Sequence, residues 1–174
     1  MNTQYRNSVT TSPPATRGVV QYRWRKGSSS LRKGRWSQHQ QIYLITTNTV
    51  RCQPLFHDFW SGREVVLVMK SLHDYGLLQS HAYVLMPDHL HWLFTLRCEE
   101  LSSVIRQFKS RSARAVNRRL RTSGQLWQQG FHDHAIRYDE SIIHAARYIV
   151  ANPLRAKLVK KLNDYPLWDA QWLP

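Results

Sequence analysis

Hydrophobic positions in this chain recur with two different periods, and the switches between them mark out seven elements. Ile42-Tyr43-Leu44-Ile45-Thr46-Thr47 is a short β-rich run and reads as a first strand. From Phe59 to Tyr75 the apolar residues Val65, Val66, Val68, Met69 and Leu72 predict a helix, with Gly76 as its stop signal. Ser80 to Met86 alternates as a second strand. Pro87-Asp88 then predicts a tight turn, Pro setting φ and Asp bonding its own backbone, and His89 to Leu96 returns as the other arm of a hairpin. Leu101 to Leu120 is helical, with a core stripe at Leu101, Val104, Ile105 and Phe108 and a close at Thr122-Ser123-Gly124. Phe131 to Ile136 is a fourth strand. The last helix is expected from Glu140 to about Ala151, capped by Asp139 and ended by Pro153, which disfavours the α conformation at Asn152. The first six elements follow the split βαβ order, which predicts an α+β fold. Its helices should cover one face of an antiparallel sheet and leave the other open to a ligand.

Composition narrows the setting. A chain of 174 residues with 42% hydrophobic content suffices for one domain with a core and is short for two. The formal charge of +14 favours a polyanionic partner, and no apolar run has the length to span a bilayer. Two cysteines, Cys52 and Cys98, lack zinc or disulfide spacing and suit a reducing compartment. With no signal-peptide pattern at the N-terminus, a soluble cytoplasmic protein is expected.

Residues 1–36 form a basic stretch without one acidic residue, expected as a flexible extension ahead of a single domain at 37–174. Trp24 and Trp36 in it are able to stack on bases. Its Arg32, Lys33 and Arg35, with Arg106, Lys109, Arg111, Arg114 and Arg118 of the basic helix, are the candidate DNA contacts.

The chemistry gathers at Met86-Pro87-Asp88-His89-Leu90-His91-Trp92. Alternate strand residues share a face, so His89 and His91 project together and can hold one metal ion, while Leu90 and Trp92 point into a core. Two solvated polar side chains are the plainer explanation of such a pair, but a strand this apolar belongs in the middle of a sheet. On the final helix His144, Tyr148 and Asn152 recur every four residues as a polar stripe. Taken singly, Tyr148 packs and Asn152 caps; together with the histidines they outline one site. His89, His91 and the Asn152 oxygen are candidate metal ligands, and Tyr148 is the candidate nucleophile. A phenol is protonated at neutral pH and needs a proton acceptor or a nearby cation, for which His144 is the candidate. Attack on DNA phosphorus would exchange one ester for another, which suits cutting and rejoining. A second pair, His132 and His134, is a rival metal site that no downstream tyrosine helix frames comparably, so a structural or DNA-contacting role is expected, with Asp133 on the opposite face.

These residues resemble the single-tyrosine HUH transposases, specifically the REP-associated tyrosine transposases of bacteria. The resemblance covers about Arg35 to Tyr165 and rests on four ordered motifs: Tyr83 to His91, Phe108-Lys109-Ser110, Leu126 to His134, and Tyr148 to Ala156. It implies a ferredoxin-like catalytic domain with His89 and His91 on the metal, Asn152 completing the site, and Tyr148 forming a 5′-phosphotyrosine link. It further implies single-stranded DNA folded into palindromic REP-like hairpins as substrate, and Mg2+ or Mn2+ as cofactor. Monomer and homodimer both stay open. Two other readings remain: a noncatalytic nucleic-acid-binding module stacking bases on Tyr43, Tyr83 and Trp92, and a metal-dependent nuclease that uses water.

Overall fold

The computed structural model describes residues 40–97, 100–137 and 141–172. Arg32, Lys33, Arg35, Trp24 and Trp36, the boundary at 37 and the Asp139–Glu140 helix start lie outside the described residues. The elements run β1 (Ile42–Asn48), α1 (Phe59–Asp74), β2 (Leu78–Leu85), β3 (His89–Leu96), α2 (Leu101–Leu120), β4 (His132–Ala135), α3 (Ile142–Val150), α4 (Asn152–Arg155) and β5 (Trp168–Ala170). The strands form one sheet in the order β4-β1-β3-β2-β5, with every neighbouring pair antiparallel. This is the α+β, ferredoxin-like arrangement with one additional edge strand. No helix among the described residues is long and apolar enough to cross a membrane.

Strand β3 is central because both of its faces are buried. Leu90, Trp92, Phe94 and Leu96 face a core built with Val65, Met69 and Leu72 of α1 and Val104, Ile105 and Phe108 of α2. Aromatic rings interlock there: Trp92 lies 4.7 Å from Phe94 and 5.3 Å from Phe108, whose ring is 5.5 Å from Trp127. The indole N–H groups are satisfied, Trp92 by Ser80 and Trp127 by Ser112. Such offset and tilted pairs add about 0.5–1.5 kcal/mol each beyond the area they bury.

The other face of the sheet is not open along its whole width. Helix α3 lies across it, over β2, β3 and β5. Ala145 and Ala146, both buried, let the helix approach Leu93, Ala82 and Val84 closely, and Ile149 and Val150 complete this second core. The histidines therefore share their sheet face with a helix.

Several local expectations change. Helix α3 takes Ser141 as N-cap, its side chain accepting from the His144 N–H. Pro153 does not stop the helical path. The chain breaks at Ala151 (φ −77°, ψ 0°), and Pro153 then sits in the first turn of α4, where its missing N–H costs nothing. Asn152 is thus the first residue of a short helix rather than an extended one. In the hairpin, the Met86 N–H donates to the His89 carbonyl at 2.8 Å, as a two-residue turn requires. The Asp88 carboxylate, expected to bond its own backbone, instead reaches the His89 ring. Strand β5 was not expected at all. Three residues after Pro166 are too few to show alternation, and Tyr165 fixes them by donating its hydroxyl to the Leu85 carbonyl at 2.7 Å.

Candidate active site

The site begins with strand pairing. His91 stands opposite Thr46 of β1 and Val84 of β2, and His89 stands opposite Asn48. Directly paired residues present their side chains on one face, so the Thr46 hydroxyl can reach the His91 ring. It does, at 2.8 Å from Nδ1. On His89 the same nitrogen is held by Asp88 Oδ1 at 2.6 Å. Partners on both Nδ1 atoms hold the rings, which is how metal-binding imidazoles are usually supported. The two ring centroids are 4.9 Å apart at 85°.

Protonation is settled by burial. His91 is 7% exposed, and burial, with smaller contributions from His89 and Arg155, pushes its pKa down to about 3. It is a neutral imidazole throughout the physiological range, the form a metal binds. The donor set fits a divalent cation: two oriented imidazoles, that of His91 neutral, and an amide oxygen nearby. Among the described residues no three His, Cys, Asp or Glu side chains cluster, and the residue expected as a third donor is an amide, Asn152.

Asn152 is placed by its own helix break. Pro153 has no N–H to offer the Ile149 carbonyl four residues before it, and the Asn152 amide supplies a donor there at 2.7 Å. This turns Oδ1 outward, where it accepts from Arg155 Nη2 at 2.8 Å. The Arg155 guanidinium also lies 4.0 Å from the centre of the Tyr148 ring, a cation–π contact. Its charge reaches His91 as well. Tyr148, Asn152, Arg155 and the histidine pair thus occupy one neighbourhood on one side of the sheet. Arg155 was missed from the sequence, although its spacing is legible: Tyr148, Asn152 and Arg155 fall at i, i+4 and i+7, one helical stripe. His144 is exposed one turn before Tyr148 on α3.

His132 and His134 share the active face too, opposite Thr46 and Leu44, with Asp133 on the reverse side. His132 is separated from His91 by β1, two strand spacings or about 10 Å.

The basic helix lies elsewhere. Helix α2 packs against the Trp92 face, so its cations are across the sheet from the histidines. Lys109 donates to the carbonyls of Gln128 (2.9 Å) and Gly130 and lies 5.9 Å from the Phe131 ring, fastening the loop before β4. Arg111 lies over Tyr75, which caps the C-terminus of α1, and Arg119 over Trp60, with an ion pair to Asp58 at 3.3 Å. Arg106, Arg114 and Arg118 are exposed. Tyr43 and Trp92, which the binding-module reading needs on an open surface, are 6% and 0% exposed, and Tyr83 packs on the same core.

A split βαβ sheet with a histidine pair on its central strand, faced by a helical tyrosine, defines the HUH class of single-tyrosine DNA enzymes. Comparison with known proteins agrees. The family model described as transposase IS200 like matches residues 37–152, and the chain belongs to that family of tyrosine transposases. A REP-associated tyrosine transposase of Escherichia coli (strain K12) is 25% identical over 138 residues, covering 78% of this chain and 76% of that protein. The solved structure of a REP-associated tyrosine transposase bound to a REP hairpin shares the fold, with a TM-score of 0.64 and 23% identity over 78% of this chain and 79% of that one.

Proposed function

We propose that this transposase cleaves and rejoins single-stranded DNA at palindromic, REP-like hairpins through a 5′-phosphotyrosine intermediate on Tyr148, with a divalent metal held by His89, His91 and Asn152. The observation that carries the reading is the Tyr148–Arg155–Asn152 cluster on the same sheet face as the histidine pair. The E. coli relative named as a REP-associated tyrosine transposase supports the substrate class.

The residues divide the work as follows. Tyr148 Oη attacks the scissile phosphorus, forming the tyrosyl ester and breaking the bond to the upstream 3′-oxygen. The phenolic proton passes to an acceptor, with exposed His144 one turn away as the candidate, and the departing 3′-oxygen takes up a proton. Arg155 supplies the cation expected beside the tyrosine. A divalent ion such as Mg2+ or Mn2+, when bound, polarises the phosphate and stabilises charge developing in the transition state. Both bonds exchanged are phosphate esters, so the free 3′-hydroxyl can reverse the step. Exposed Arg106, Arg114 and Arg118, on the far side of the sheet, are suited to phosphates of the hairpin stem or flanks.

The test is incubation of the full chain with a single-stranded hairpin oligonucleotide and Mn2+, followed by a denaturing gel. A covalent protein–DNA adduct is expected, and Tyr148→Phe should remove it entirely while keeping the ring. Cleavage persisting in Tyr148→Phe would identify a water-dependent nuclease; binding without cleavage by the wild type would leave only the binding module.

A further inference from the structure

We propose that Arg155 gates the metal site, holding the Asn152 side-chain oxygen against a divalent cation until a DNA phosphate draws the guanidinium away. The proposal rests on the Tyr148 and His89–His91–Asn152 reading above and adds a regulatory residue to it.

Arg155 is engaged at two points. Its Nη2 donates to Asn152 Oδ1 at 2.8 Å, and its Cζ lies 4.0 Å from the Tyr148 ring centre. The amide oxygen needed by the metal is therefore already shared with a permanent cation. A guanidinium bonded to that oxygen also repels an incoming divalent cation, and the repulsion grows with the charge of the ion.

The substrate resolves the conflict. The scissile phosphate must come within bonding reach of Tyr148 Oη, and the Arg155 guanidinium lies over that ring. A guanidinium–phosphate pair joins opposite charges and is often bidentate, whereas the Arg155–Asn152 bond joins one charge to a neutral amide oxygen through a single contact. The phosphate thus competes well for Arg155, releases Asn152 Oδ1, and places a negative charge between the two cations. Metal and DNA should bind cooperatively, and by linkage each strengthens the other to the same extent. Without DNA the site is held in a weak-binding state.

The test is Mn2+ titration of the full-length protein, followed by the electron paramagnetic resonance signal of free Mn2+, with and without a hairpin oligonucleotide. Wild type is compared with Arg155→Gln, Arg155→Lys and His91→Ala. Arg155 is exposed, so its substitution spares the core. Without DNA, Arg155→Gln should bind Mn2+ about tenfold more tightly than wild type, and Arg155→Lys, which keeps the charge, should fall between them. With the oligonucleotide present the difference should shrink, since the phosphate has already removed the block. Equal or weaker Mn2+ binding by Arg155→Gln without DNA overturns the gate. His91→Ala separates the two levels. If Mn2+ binding survives that substitution, the metal reading under the proposed function falls and the gate with it; if it is lost there while Arg155→Gln behaves as wild type, only the gate falls.

Discussion

On one face of the sheet Leu90, Trp92, Phe94 and Leu96 are sealed beneath α1 and α2; on the other, His89, His91 and Leu93 of the same strand meet α3. The two faces are one residue apart along β3 and differ in almost every physical respect. The first is aromatic and interlocked, with its cations on the outer surface of a long helix. The second is packed with alanines and short aliphatics, so that two short consecutive helices can bring a tyrosine, an amide and an arginine near two imidazoles. Period-two alternation lets one strand serve stability and chemistry at once. It also separates the basic helix, the obvious DNA-binding feature, from the place where a phosphate would be attacked.

That division of labour can be broken from either side. The largest effect is expected on the aromatic face. Phe108→Ala removes a fully buried ring lying between Trp92 and Trp127, and should destabilise folding by about 3–5 kcal/mol in urea titration. Adduct formation per folded molecule should be retained. A loss of adduct in protein that remains folded would show that the two faces are coupled.

On the active face Thr46→Val leaves His91 in place and removes the hydroxyl on its Nδ1. Removing a partner of this kind typically weakens metal binding about 10–100-fold. Calorimetric Mn2+ titration should show this with a much smaller change in stability than Phe108→Ala. If affinity is unchanged, the Thr46 contact does not organise the ligand.

The smallest effect sharpens the electrostatic half of the comparison. Arg114→Ala, on the exposed side of α2, should reduce the slope of log K against log salt for hairpin binding by about 0.7 if it neutralises one phosphate. It should leave Mn2+ affinity unaltered. Lys109→Ala should behave differently, loosening the loop at Gln128–Gly130 and lowering the melting temperature, because its ammonium is bonded to that backbone.

Much of this was legible before any coordinates. Strand β3 and helix α2 begin and end where the pattern places them, because each carries a long, uninterrupted period. The HxH pair, Tyr148 and Asn152 follow from two spacings, two along a strand and four along a helix. Arg155 was within reach of the same spacing rule but lay beyond Pro153, which was read as a terminator. Strand β5 is three residues long, and its pairing with Ala82 to Val84 depends on a tether from Tyr165 to Leu85 some eighty residues away.

Local periodicity decided which residues share a face, since a side chain's direction depends only on φ and ψ nearby. It settled the existence of the histidine pair and the polar stripe of the final helix. Whether those faces meet was decided only when the strands paired and α3 laid its alanines on the sheet, because that depends on packing between segments that the chain keeps far apart.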